Sequence, residues 1–99
     1  MKVIIQSVKF KTDIKLENFV KEKVQKLSST YNGILGSEII LRLDHSDVQE
    51  NKITEIKLEI PGNELFAKKQ AKSFEEATDN AIEALKKQLD KHKEKLRNN

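Results

Sequence analysis

One short segment of the chain combines residue types that are used in hydrolytic catalysis. Asp44, His45 and Ser46 are the orienting acid, base and nucleophile types of a catalytic triad. In a working triad the side chains converge from separate elements, which three adjacent loop residues cannot do. Asp44, Asp47 and Glu50 could offer oxygen ligands to a hard cation, but their spacing differs from that of a calcium loop and the turn glycine is missing. The sequence therefore predicts no enzyme, no metal site and no cofactor.

The end of the chain carries a regularly spaced set of bases. Lys87, Lys91 and Lys95 recur every four residues, a spacing that places them in one row along a helix. Residues 86–99 hold six bases and two acids, whereas the twelve residues before them hold four acids and no base. This split complements the helix dipole, which could explain it alone. Because a row of like charges also costs stability, we interpret it, together with Lys93, as a surface for a polyanion.

A smaller basic set lies in the first predicted helix. Lys23 is at the centre of the apolar stripe of that helix, seven residues after Leu16. Two interpretations remain open: a snorkelling side chain whose ammonium reaches water, or a specific phosphate contact. Lys26 lies off the stripe and is expected to be exposed. The candidate polyanion-binding residues are therefore Lys23, Lys26, Lys87, Lys91, Lys93 and Lys95.

The composition limits the classes of protein that remain. Ninety-nine residues, 36% hydrophobic and 35% charged, predict one domain over residues 1–99. The net charge of +3 is too small to identify an anionic partner. The absence of cysteine excludes disulfides and thiolate chemistry, and no apolar run has the length of a signal peptide or a membrane span. We expect a cytoplasmic protein with no membrane partner and no small-molecule substrate.

Two amphipathic helices are predicted. The first begins after the capping candidate Asp13 and is stopped by the polar segment 28–30 and the Asn32-Gly33 pair. The second begins at a capping box opened by Ser73 and covers residues 74–97, which is about 36 Å of helix. Because a strand spans only ~17–20 Å, residues 86–99 are expected to overhang the sheet. The helix side chains expected to be mostly buried are Leu16, Phe19, Val20, Val24, Leu27, Ile82, Leu85 and Leu89.

Four strands accompany the helices. Residues 3–10 are rich in β-branched side chains, and alternating apolar residues predict strands at 38–44 and 55–60. A turn at residues 61–63 leads to a fourth strand over 64–72. The order β-α-β-β-β-α predicts an α+β fold, a four-stranded mixed sheet with both helices packed on one face, similar to the double-stranded-RNA-binding-domain sandwich. The first strand pair is expected to be parallel and the later pairs antiparallel.

Several segments resemble a known family. Residues 85–96 resemble the C-terminal helix of the ribosome hibernation promoting factors, also called ribosome-associated inhibitor or sigma-54 modulation proteins. The similarity covers essentially the whole chain and includes the Val3-x-Ile5 start, residues 19–27, the turn at 61–62 and residues 65–67. As the sequence ends at Asn99, the resemblance is to the short class, which lacks an additional C-terminal domain.

Two positions depart from the family pattern. Lys87 stands where the family usually has arginine, which keeps the charge but loses the bidentate fork. Glu75 replaces a tyrosine near the start of the last helix, which removes any contact that this ring makes in the family.

The resemblance implies a function without covalent chemistry. The family binds in the channel of the small ribosomal subunit where messenger and transfer RNA normally sit, blocks initiation and keeps ribosomes inactive and stored. For this chain the implied partners are the small ribosomal subunit and its rRNA, and a second ribosome joined through dimerisation is left open. Whether another protein is required is also left open.

Two alternatives from other classes compete with this interpretation. A free double-stranded RNA-binding domain shares the β-β-β-α portion but places its key lysines at the start of the last helix, where this chain has Glu75, Glu76 and Asp79. A structural protein-interaction module is equally compatible with the composition. Co-sedimentation with ribosomes at near-stoichiometric amounts would separate the family function from such a module.

Overall fold

The computed structural model describes residues 1–44 and 49–97, of which 96 and 97 are described by their backbone alone. The candidate triad members His45 and Ser46, like Asp47 of the candidate cation site, lie outside the described residues. Within the described ranges, no helix is long and apolar enough to cross a membrane. The elements are β1 Lys2–Val8, α1 Ile14–Thr30, β2 Gly36–Leu43, β3 Lys52–Ile60, β4 Asn63–Ala71 and α2 Phe74–Arg97.

The four strands form one mixed sheet in the order β1-β2-β3-β4. β1 pairs with β2 in parallel, and the two later pairs are antiparallel. Both helices cover one face, where Ile39, Leu41, Ile56 and Leu58 of the sheet are buried in one core with the apolar stripes of α1 and α2. The predicted α+β architecture is therefore confirmed.

The helix stripes account for most of the core that was predicted. Val20, Val24, Leu27, Ile82, Leu85 and Leu89 are buried as expected. Leu16 and Phe19 are only half-buried and pack against the rim of the core, because they belong to the first turns of α1, where Ile14 is 65% exposed. The packed part of α1 is thus its second half.

The start of α1 follows the predicted cap, and its end lies within the predicted stop segment. The Asp13 carboxylate accepts the Leu16 N–H at 2.8 Å, which satisfies one of the free amides of the first turn. The helix ends at Thr30, before Asn32-Gly33. Ser29 and Thr30 donate their hydroxyls to the carbonyls of Gln25 and Lys26 at 3.2 Å each. Hydroxyl side chains that bond back to the preceding turn are compatible with helix, so residues 28–30 form its last turn.

The first strand ends earlier than predicted, at Val8 instead of Phe10. Lys9 adopts a left-handed conformation with φ of 68°, which is uncommon for a residue with a side chain and turns the backbone out of the sheet. Phe10 then stacks on Phe74, the first residue of α2, with ring centroids 4.6 Å apart and ring planes 14° from parallel. The aromatic contact holds the β1–α1 connection against the start of the last helix.

A buried hydroxyl pair joins β3 to α2 and supports a stability prediction. Thr54 and Thr78 are both fully buried, and their hydroxyl oxygens are 3.2 Å apart. Thr78→Val keeps the shape but leaves the Thr54 hydroxyl without its partner, so we expect the free energy of unfolding to fall by about 1–3 kcal/mol. Urea denaturation measures this loss. The double variant Thr54→Val, Thr78→Val should recover most of it, and equal stability of the single variant and the wild type would contradict the prediction.

Candidate nucleic-acid interface

The two helices enclose a groove with bases on both walls. Lys23 and Lys26 of α1 face Lys86 of α2 across it, and Asp79 and Glu83 of α2 share the same wall as Lys86. The spacing of these α2 residues, three or four apart, follows from one flank of the helix facing α1. The groove therefore presents three ammonium groups, and two carboxylates partly neutralise them.

Lys23 reaches the surface through the rim of this groove. Its ammonium lies 3.2 Å from the Asp79 carboxylate and 5.3 Å from the centre of the Phe19 ring, and its side chain is 37% exposed. The aliphatic stem thus leaves the apolar stripe as the snorkelling interpretation expects. Because the ammonium already has an acidic partner, a phosphate would have to compete with Asp79 for it. A phosphate contact by Lys23 stays a prediction.

The lysine row lies on the exposed side of α2. Lys87, Lys91 and Lys95 are all exposed, while Leu89 is the last α2 side chain buried in the core within the described part of the chain. Lys91 and Lys95 border a shallow depression between α2 and Asn63 at the start of β4. The row therefore turns toward the β4 side of α2, away from the groove that holds the α1 lysines.

Lys93 occupies the opposite flank of the same helix end. It borders an apolar recess under α2, together with Tyr31 and Gly33 from the α1–β2 connection and Pro61 from the β3–β4 turn. His92 is half-buried and lines the same recess. The six predicted lysines are consequently divided between α1, which carries Lys23 and Lys26, and two flanks of α2, and they do not form one continuous stripe.

Five of these six lysines form no salt bridge with any acidic side chain that the structure describes. In residues 1–44 and 49–97, no salt bridge involves Lys26, Lys87, Lys91, Lys93 or Lys95. By contrast, the central charges on the open face of the sheet cancel one another, because Arg42 pairs with Glu55 at 3.2 Å and Lys57 with Glu38 at 3.5 Å. The ammonium groups of these five lysines are thus available to an anion, and phosphate groups are suitable partners for them.

The order of the elements and these basic helices can be compared with known proteins. Residues 3–97 match the family model described as sigma 54 modulation protein / S30EA ribosomal protein. The chain belongs to this family. A relative in the S30EA family, the ribosome hibernation promoting factor of Pseudomonas putida, is 31% identical over 80 residues, which are 81% of this chain and 74% of that protein.

Two solved structures have the fold of this S30EA family member. A ribosomal subunit interface protein from Coxiella burnetii superposes with a TM-score of 0.83 and 18% identity, covering 94% of this chain and 98% of that one. The N-terminal domain of Protein Y from Thermus thermophilus has a TM-score of 0.76 and 19% identity, covering 93% of this chain and 99% of its own. At such identities the likeness establishes a shared fold.

The binding residues predicted from the sequence of this S30EA family member did not include Lys86, which also lines the groove between α1 and α2. Its ammonium lies 3.3 Å from the Glu83 carboxylate, one helical turn earlier. Lys86 lies four residues after the buried Ile82, and this spacing indicates a position beside the core. The sequence alone does not indicate which flank of α2 faces α1. Among the described residues, no group of three or more His, Cys, Asp or Glu side chains is placed to hold a metal ion.

Proposed function

We propose that this member of the S30EA family is a ribosome hibernation factor. In this proposal it binds the rRNA of the small ribosomal subunit in the channel that messenger and transfer RNA use, and keeps the ribosome inactive and stored by occupying that space. The mechanism needs no covalent step, and it places the protein in the cytoplasm with the ribosomes. The name of the Pseudomonas putida relative and the family match support the proposal.

The observation that carries the proposal is the set of exposed lysines that form no salt bridge within the described part of the chain, Lys26, Lys87, Lys91, Lys93 and Lys95. Ammonium groups without internal partners lose little on meeting phosphate oxygens and gain from releasing the counterions of the RNA. The chain has no tryptophan and only five aromatic residues, of which Phe10 and Phe74 are stacked on each other. Recognition through phosphates and the shape of folded rRNA is therefore favoured over base stacking.

The charge at the start of α2 argues against a free double-stranded RNA-binding domain. Glu75 and Glu76 are exposed in the first turn of α2, and Asp79 follows one turn later. These carboxylates occupy the helix end whose dipole would otherwise favour a phosphate. Duplex RNA of mixed sequence is therefore expected to bind much more weakly than ribosomes.

Co-sedimentation with isolated ribosomal subunits tests the proposed function. The purified protein should pellet with the small subunit at near-stoichiometric amounts and should inhibit initiation in a cell-free translation reaction. Large subunits and mixed-sequence duplex RNA are the controls, and sucrose gradients of whole ribosomes show whether dimers accumulate. Equal binding to both subunits, or stoichiometric binding without any inhibition, would contradict a role in the messenger channel.

The salt dependence of binding is a quantitative prediction of the same proposal. About five phosphate contacts give a slope of log affinity against log salt of roughly −3.5 to −4.5. The slope is measured by repeating the subunit titration from low to moderate potassium concentrations. A nearly flat dependence would contradict a mode of binding led by phosphate contacts.

A further inference from the structure

Three consecutive residues attach α2 to the rest of the protein just before its exposed end. Leu89 is buried in the core. Gln88 donates its side-chain amide to the backbone carbonyl of Phe66 on β4 at 2.9 Å. Asp90 accepts a hydrogen bond of 2.6 Å from the hydroxyl of Tyr31, which follows the last residue of α1. Successive helical residues point about 100° apart, so the three contacts hold α2 from three directions.

The Tyr31–Asp90 hydrogen bond has the features of a strong contact. Its length is that of an O–H group donating to a carboxylate. The bond raises the pKa of the Tyr31 phenol above its ordinary value, and burial together with the negative charges of Asp90 and Glu83 contributes in the same direction. The Tyr31 ring also packs against the core, which limits where its hydroxyl can lie.

We infer that the Tyr31 hydroxyl and the Gln88 amide are positioning groups that orient the exposed end of α2, and with it Lys91, Lys93 and Lys95, for the ribosome. This inference rests on the proposed function. These three lysines follow the attachment at Leu89 directly, and none of them has an acidic partner among the described residues. The ends of helices fray in water, and a helix end that is ordered before binding does not lose that freedom on binding.

The geometry explains why a contact at Asp90 matters to Lys95. Five residues of helix separate them, or roughly 7.5 Å along the axis. A tilt of about 20° at the attachment would therefore displace the Lys95 backbone by roughly 2.6 Å, close to the length of a hydrogen bond to phosphate. Tyr31 acts only through Asp90 and makes no contact of its own with the nucleic acid.

Tyr31→Phe is the variant that tests the inference, because it removes the hydroxyl, keeps the ring and changes no charge. Small-subunit affinity should fall by about three- to tenfold in Tyr31→Phe, and further in Tyr31→Phe combined with Gln88→Met. The salt slope should stay unchanged, since no phosphate contact is removed. Backbone ¹⁵N order parameters of residues 91–95 should decrease in the free variant, while those of β2 and β3 remain as in the wild type.

Two controls separate positioning from electrostatics and from general stability. Asp90→Asn removes a negative charge beside the lysines, so electrostatics alone predicts tighter binding, whereas loss of the strong carboxylate contact predicts weaker binding. Thr78→Val destabilises the core away from this attachment and should leave the affinity and the order parameters of residues 91–95 unchanged. Tyr31 is the only tyrosine and the chain has no tryptophan, so ultraviolet titration reads its pKa directly. That pKa should move back toward its ordinary value in Asp90→Asn.

Each outcome bears on the inference. Unchanged order parameters in Tyr31→Phe would overturn it, and so would increased mobility without any loss of affinity, or tighter binding by Asp90→Asn. If the wild-type protein does not bind ribosomes, the proposed function fails. The order parameters and the tyrosine titration would still decide whether the contact orients the helix end.

Discussion

Lys87→Glu, Lys91→Glu and Lys95→Glu together are expected to abolish ribosome binding and the inhibition of translation. Each lost phosphate contact costs roughly 1.5 kcal/mol or more, so removing three lowers the affinity more than about a thousandfold before charge repulsion is counted. All three side chains are exposed on α2, so the core should survive. Carboxylates near a helix C-terminus oppose the dipole, and some loss of melting temperature is expected. Small-subunit co-sedimentation and cell-free translation measure the effect.

The matched control replaces the same three lysines with glutamine. This variant removes the charges without creating unfavourable carboxylates at the helix end, and it should also lose most binding. Its salt slope should be less steep than that of the wild type by about one for each lysine that contacts a phosphate. A folded glutamine variant that still blocks translation at wild-type concentrations would show that the row is only a solvated helix end.

Leu85→Ala is expected to cause the largest loss of stability among the helix variants considered. Leu85 is fully buried in the core that the sheet and both helices share, and truncating such a side chain costs about 2–5 kcal/mol. Domains of this size have about 5–15 kcal/mol of total stability, so the melting temperature should drop by roughly 10–30 °C. Thermal unfolding followed by circular dichroism measures the shift.

Leu35→Ala provides the matched comparison because it makes the same chemical change at a side chain that is 58% exposed. The Leu35 amide donates to the Glu59 carbonyl through the backbone, so that bond is retained. We expect a change within about 0.5 kcal/mol. Similar losses in both variants would contradict the assignment of Leu85 to the centre of the core.

Local rules were sufficient to predict most of the fold. Asp13 and Ser73 accept the amide hydrogens that begin the two helices, and both caps follow from spacing over three residues. The end of β1 was predicted wrongly because a distant contact decides the local structure there. Phe10 leaves β1 to stack on Phe74, a residue of the last helix, and nothing in the sequence around residue 10 indicates that contact.

The candidate site was less predictable for a related reason. Helical spacing groups Lys87, Lys91 and Lys95 correctly, because the spacing depends on one helix alone. The Lys23–Asp79 ion pair joins residues on two helices, and it depends on which flank of α2 packs against α1. The same packing determines that Tyr31 meets Asp90, although 59 positions separate them. The site therefore depends on contacts between elements, which the spacing of residues within one helix cannot predict.

The strand order also has a consequence for how the chain acquires its structure. β2, β3 and β4 are joined by consecutive antiparallel pairings, which bring together residues that are close in sequence. β1 meets β2 only across the whole of α1, so this pairing closes a much longer loop. We therefore expect the three-stranded meander to form early and β1 to join late, with folding slowed mainly by that one non-local step. Variants in the β2–β3 pairing should then retard folding, whereas variants in β1 should mainly accelerate unfolding.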